Sequence, residues 1–98
     1  MLNGKQRSYL RGLANTITPV IQLGKDGITD AVIKQVDEVL EARELIKLTV
    51  LRNSMLESRE ACEILCEATE SDPVQVIGNK FVMYRKSRNK PSQIELPR

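Results

Sequence analysis

The residues of this chain best placed to do chemistry are Gly24, Lys25, Asp26 and Gly27, a lysine and an aspartate bracketed by glycines. An apolar run, Val20-Ile21-Gln22-Leu23, enters this tetrad, and an amphipathic helical pattern from Thr29 to Ala42 leaves it. Glycine lacks the Cβ that keeps a backbone away from a ligand, and it tolerates positive φ. Thr29 can cap the following helix, whose first free amide groups and dipole favour an anion. Backbone donors, Lys25 and a helix N-terminus therefore converge, and a phosphate suits them. Taken alone, Gly-x-x-Gly also fits a turn that merely reverses the chain between a strand and a helix.

Other reactive groups are sparse. There is no histidine, and Cys62 and Cys66 stand four apart in a helical pattern. Two thiols cannot complete a tetrahedral metal site within one chain, so they are expected to be small reduced residues on a buried helix face. The carboxylates fall where helix solvent faces should be, and no Walker ending follows the glycine tetrad. No metal, no cofactor and no catalytic activity are therefore expected.

Charge is distributed unevenly along the 98 residues, whose net value is only +2. Residues 1–29 carry +3, residues 30–72 carry −6, and residues 73–98 carry +5. Basic ends around an acidic middle predict a folded molecule with a positive side that can steer a polyanion. No apolar run approaches the roughly 20 residues a membrane span requires, and no signal core follows Met1-Leu2-Asn3-Gly4-Lys5. A cytoplasmic monomer with no membrane partner is expected.

The elements that must position the tetrad are legible in the hydrophobic periodicity. Asn3 and Gln6 form a capping-box pattern ahead of a helix over Gly4 to Asn15, with Tyr9, Leu10 and Leu13 on its buried side and Arg7 and Arg11 on another. Pro19 ends the helical region and opens a strand to Leu23. The next helix buries Val32, Ile33, Val36, Val39 and Leu40. In the strand after it, Ile46, Leu48 and Val50 alternate with Lys47 and Thr49. A helix over Ser58 to Thr69 is predicted to bury Ala61, Ile64, Leu65 and Ala68 and to expose Glu60, Glu63, Glu67 and Glu70 as one stripe. Val74 to Ile77, a Gly78-Asn79 turn and Lys80 to Arg85 read as a hairpin. The fold class is thus α/β (α+β), in the order αβαβαββ, with right-handed crossovers placing helices on a shared face of a small four-stranded mixed sheet. Residues 1–86 form one domain, and residues 87–98 read as a basic, flexible tail.

Four segments in order then carry a family resemblance: Gly4-Lys5-Gln6-Arg7 with Leu10-Arg11, Gly24 to Thr29, Glu44-Leu45-Ile46-Lys47, and Val74 to Gly78 with Tyr84-Arg85. Together they resemble the CRM domain (chloroplast RNA splicing and ribosome maturation), in its stand-alone bacterial, YhbY-like form. The resemblance implies an RNA-binding protein that associates with ribosomal RNA in precursors of the large subunit and assists their assembly. It also implies a fold similar to the C-terminal domain of translation initiation factor three, with a KH-like glycine loop that clamps an RNA backbone. The expected RNA-binding residues are Lys5, Arg7, Arg11, Gly24, Lys25, Asp26, Gly27, Lys47 and Arg85, with the basic residues sharing one side. A protein-interaction module that docks through the acidic helix is the alternative. With only Tyr9, Phe81 and Tyr84 as aromatics, the paired surface aromatics that stack bases are lacking, and recognition by backbone and shape is expected rather than reading of bases.

Overall fold

The structure is a computed structural model that describes residues 2–98; Met1, which the sequence reading includes in the domain, lies outside the described residues. Helices α1 (Gly4–Ala14), α2 (Asp30–Arg43) and α3 (Ser58–Thr69) alternate with strands β1 (Ile21–Leu23), β2 (Leu45–Val50), β3 (Asp72–Ile77) and β4 (Lys80–Tyr84). The αβαβαββ order is as the periodicity predicts. The sheet runs β1-β2-β4-β3, with β1 parallel to β2 and β4 antiparallel to both of its neighbours.

Local chemistry accounts for the element boundaries. Asn3 Oδ1 accepts from Gln6 N at 2.8 Å and Gln6 Oε1 accepts from Asn3 N at 3.1 Å, a complete capping box. Thr29 Oγ1 accepts from Val32 N and starts α2. In the hairpin turn only Gly78 has positive φ (57°), as a glycine-first turn of type II′ requires.

The two sheet faces carry different loads. Ile46, Leu48, Phe81 and Met83 pack beneath α2 and α3 in the main core, with Val36, Leu40, Ala61 and Leu65. Leu45, Val82 and Tyr84 face the other way and pack with Leu2, Leu10 and Ala14 of the α1 region. The expectation of helices on a shared face therefore holds for α2 and α3 only. α1 precedes β1 and belongs to no strand-to-strand crossover, so the crossover rule does not bind it.

Two buried stripes differ from the sequence reading. Tyr9 is 43% exposed, and Leu10 with Ala14 forms the packed edge of α1. In α3 the buried stripe is Ser58, Ala61, Cys62, Leu65, Cys66 and Thr69, which leaves Ile64 41% exposed and Ala68 exposed. Cys62 and Cys66 lie in the buried stripe, as expected of them, while Ile64 and Ala68 fall outside it. Their sulfurs lie 3.9 Å apart, both thiols are free, and the contact with Cys66 together with burial pushes the Cys62 thiol up.

The segment after β4 folds back onto α2 and the α1-side core. Glu44, at the α2 C-cap with φ 66°, is fully buried, and its carboxylate accepts from Ser87 N, Gln93 N and Ile94 N at 2.7–2.9 Å. Glu41 accepts from Arg88 N and Asn89 N. Ile94 and Leu96 then pack against the α1-side core, and Gln6 Nε2 donates to Pro97 O at 3.0 Å. These contacts fall in the stretch 87–98 that the sequence reading takes as a basic, flexible tail. Its basic, aperiodic composition gives no sign of two acidic anchors placed more than forty residues earlier.

Candidate nucleic-acid interface

The glycine tetrad sits between β1 and α2, where the sequence places it. Gly27 N donates to Gly24 O at 3.0 Å, closing a tight turn with Lys25 and Asp26 exposed at its tip. The two glycines have different reasons to be there. Gly27 has φ 66°, which side-chain-bearing residues rarely adopt, and a Cβ at that position would lie 3.7 Å from Leu56 Cδ1. Gly24 has no such constraint. A Cβ there would meet Asn53 Oδ1 and Leu51 Cδ1 at 3.7 and 3.9 Å, ordinary contact distances. Neither local conformation nor packing therefore demands glycine at position 24.

The basic residues divide into free and committed groups. Lys5 and Arg11 are exposed on α1, Lys25 is exposed at the loop tip, and Lys47 is half-buried on the α1 side of the sheet. Among the described residues none of these four forms an ion pair, as ion pairs are made only by Arg85 and Arg88. Arg7 is half-buried, and its Nε donates to Pro73 O at 3.2 Å, which fastens α1 to the start of β3. Arg7 and Arg59 flank the edge strand β3, where Pro73 and a register shift interrupt pairing.

Arg85 is not part of this surface. Its side chain is 6% exposed, with Nη1 on Asp37 Oδ1 at 2.6 Å and on Thr69 O at 3.0 Å, and Nη2 on Asp37 O at 3.1 Å. It follows the last residue of β4, where the alternation turns it towards α2 and α3. The structure therefore brings Lys5, Arg7, Arg11 and Lys47 to the α1 side, sets Lys25 in the β1–α2 loop beside the β2–α3 loop, and takes Arg85 inside.

Lys5, Arg11 and Lys47 lie on the opposite side of the sheet from the acidic stripe. Glu60, Glu63, Glu67 and Glu70 are all exposed on α3, which packs on the opposite face of the sheet from α1. The modest net charge thus conceals two sides of opposite sign.

Sequence reasoning missed Lys80, Gln75 and Asn15, which border the open end of the α1-side face together with Lys47. The period of two groups residues within each strand, but only the register brings the strands' residues together. Register pairs Lys47 and Gln75 with Val82, and Lys80 with Thr49 and Ile77, so all of these share one face. Arg52 and Met55, the latter 94% exposed, were also passed over; they lie in the β2–α3 loop that packs beside the tetrad. Among the described residues no group of three or more potential metal ligands is assembled, and no helix is long and apolar enough to cross a membrane.

Comparison with known proteins bears on this arrangement as a whole. The chain is 47% identical over 97 residues to a Bacillus subtilis protein named "Probable RNA-binding protein YqeI", covering 99% of this chain and all of that one. It is 34% identical to a Haemophilus influenzae protein named "RNA-binding protein", covering 99% and 96%. The solution structure of SAV1595 from Staphylococcus aureus superimposes with a TM-score of 0.80 at 54% identity, covering 99% of this chain and 100% of that one. The matched family spans residues 2–85, from the first packed residue of the α1 region to the arginine that closes β4. With α1, the glycine loop and the four-stranded sheet all inside that span, the chain belongs to the CRS1 / YhbY (CRM) domain family.

Proposed function

We propose that this protein binds RNA without catalysing a reaction, and that its target is ribosomal RNA in precursors of the large subunit, whose assembly it assists in the cytoplasm. The observation that carries the reading is the set of cations without ion pairs among the described residues: Lys5, Arg11 and Lys47 on the α1 side, opposite the glutamate stripe of α3, with Lys25 at the tip of the glycine loop. A polyanion approaching the first side gains Coulomb energy without meeting the acidic stripe. The half-buried Gly24, without a side chain, would let a phosphate approach the backbone, and Lys25 beside it supplies charge. The names of the two relatives and the family membership support the same reading.

The test is a salt titration of binding to large-subunit ribosomal RNA, paired with gradient fractionation of a cell extract. Log affinity should fall linearly with log salt, and the protein should co-migrate with subunit precursors more than with mature ribosomes. A protein found only in the free fractions at low salt would refute the ribosomal assignment.

A second reading has one observation of its own. Ile64 is 41% exposed between Glu60, Glu63 and Glu67, an apolar contact framed by acids that suits a basic protein partner. Retention of a protein by α3, with no affinity for ribosomal RNA, would favour that reading over the first.

A further inference from the structure

α1 covers only one end of its sheet face, and the uncovered end is concave. A hollow of about 340 Å³ lies there, bordered by Asn15, Lys47, Gln75, Ile77, Asn79 and Lys80. That volume falls within the range of about 300–1,000 Å³ in which ligand pockets occur.

The composition of this hollow is unlike ordinary surface. It has two lysines, three carboxamides and an isoleucine that is 61% exposed, and no acidic residue lines it. Pairing Ile77 with Lys80, and both Lys47 and Gln75 with Val82, fixes these side chains on one side of three adjacent strands. They therefore stand on a rigid platform, not on a loop. Asn79 is loosely tethered, its Nδ2 donating to Val50 O and its Oδ1 accepting from Lys80 Nζ, both at 3.4 Å. Asn15 and Gln75 have no side-chain hydrogen-bond partner among the described residues, so their donor and acceptor edges are open.

The geometry points to a subsite for one unstacked base of a single-stranded RNA segment, an assignment that rests on the RNA-binding reading above. Ile77 offers an apolar surface for the face of the base. The carboxamides of Asn15 and Gln75 offer paired donors and acceptors for its edge, the chemistry by which amide side chains distinguish bases. Lys47 and Lys80 stand where the flanking phosphates would pass, and charge complementarity favours a polyanion over an uncharged or basic partner. Base-reading is then performed by amides and an aliphatic side chain, without the surface aromatics that stacking platforms use.

The test uses the full chain, labelled with ¹⁵N, and five single-stranded pentanucleotides. Four consist of uridines with each of the four bases in turn at the centre, and the fifth lacks the central base. Backbone signals of Lys47, Gln75, Ile77 and Lys80 and the side-chain amides of Asn15 and Gln75 should shift. One central base should bind about tenfold more tightly than the base-free strand. Ile77→Ser and Gln75→Ala should each erode that preference and leave affinity for the base-free strand unchanged. Because Ile77 is largely exposed, its replacement spares the core, and thermal melting verifies the fold of both variants.

Shifts confined to α1 and Gly24–Gly27, or equal affinity with and without the central base, would overturn the subsite and leave RNA binding standing. A free nucleoside monophosphate that binds as tightly as the strand would overturn it too, in favour of a mononucleotide site. Absence of binding to every oligonucleotide and to a large-subunit RNA fragment would overturn both readings together.

Discussion

Arg85 Nη1 and Asp37 Oδ1 meet at 2.6 Å, joining the end of β4 to the middle of α2. The same guanidinium donates to Thr69 O at the end of α3, so one side chain fastens both helices of the main core to the sheet. Removing it frees Asp37, which is half-exposed and can regain water, but leaves the Thr69 carbonyl with only the longer bond from Arg88 Nη2 at 3.3 Å. Arg85→Ala is therefore expected to cost about 2–3 kcal/mol, the low side for breaking a buried pair. A fall in Tm of roughly 10–20 °C by calorimetry checks it. RNA affinity per folded molecule should not change, since the guanidinium is unavailable to a ligand.

The two loop glycines should separate in experiment. Gly27→Ala places a Cβ at φ 66° and should destabilise the fold by about 1–2 kcal/mol, read from denaturant unfolding. Gly24→Ala meets only ordinary contacts, so its stability should stay close to wild type. If the backbone at position 24 approaches a phosphate, that variant should nevertheless bind ribosomal RNA more weakly. Unchanged affinity for Gly24→Ala would reduce the loop to a chain reversal.

Asp26 supplies the opposing measurement. It is exposed at the loop tip beside Lys25 and makes no hydrogen bond or ion pair among the described residues. Asp26→Lys should raise RNA affinity at low salt and steepen the salt dependence by about one unit if the new charge reaches a phosphate. Salt titrations of both proteins on one RNA fragment decide it.

Lys5, Arg11 and Lys47 can be tested in the same assay. Neutralising any one that contacts a phosphate should lower the slope of log affinity on log salt by about one unit or slightly less. Stability should be little affected, since none of the three is ion-paired. Glutamine replacements with unaltered slopes would move the interface elsewhere.

Acid should loosen the segment after β4. Burial alone would raise the Glu44 carboxyl, but the Ser87, Gln93 and Ile94 amides outweigh it and hold the group below its ordinary value of 4.5. The Arg88 and Asn89 amides hold Glu41 below the same value. A depressed carboxyl stabilises the folded state above the unfolded value and loses that contribution as pH falls through the folded one. Hydrogen exchange at Ser87, Arg88, Asn89, Gln93 and Ile94 should therefore accelerate below about pH 4.5, relative to the sheet amides, once corrected for intrinsic rates. Glu44→Gln should show faster exchange at Ser87, Gln93 and Ile94 already at neutral pH.

Much of this fold was legible because its cues are local. Asn3 and Gln6 announce α1, Thr29 announces α2, and Gly78-Asn79 announces the hairpin, each through bonds spanning a few residues. The errors arose where a distant partner decides. Arg85 reads as a basic residue at the end of a strand until Asp37, forty-eight positions away, is seen to hold it. Glu44 reads as one acid among many, although its carboxylate organises the chain from Ser87 to Ile94. The α3 stripe shifted because cysteine packs as a small hydrophobe, a use that hydrophobic patterning ranks below isoleucine. At the candidate interface, the loop and the α1 cations were visible as motifs. The hollow beside Lys47 was not, since it depends on three strands being in register.

The hydrogen bond from Gln6 to Pro97 O has a topological consequence, because it brings the two ends of the chain side by side. A short glycine-serine bridge could join them, and a new start could be opened at Met55, at the exposed tip of the β2–α3 loop. Such a circular permutant would keep every strand pairing and both helix layers while reversing which half of the sheet is synthesised first.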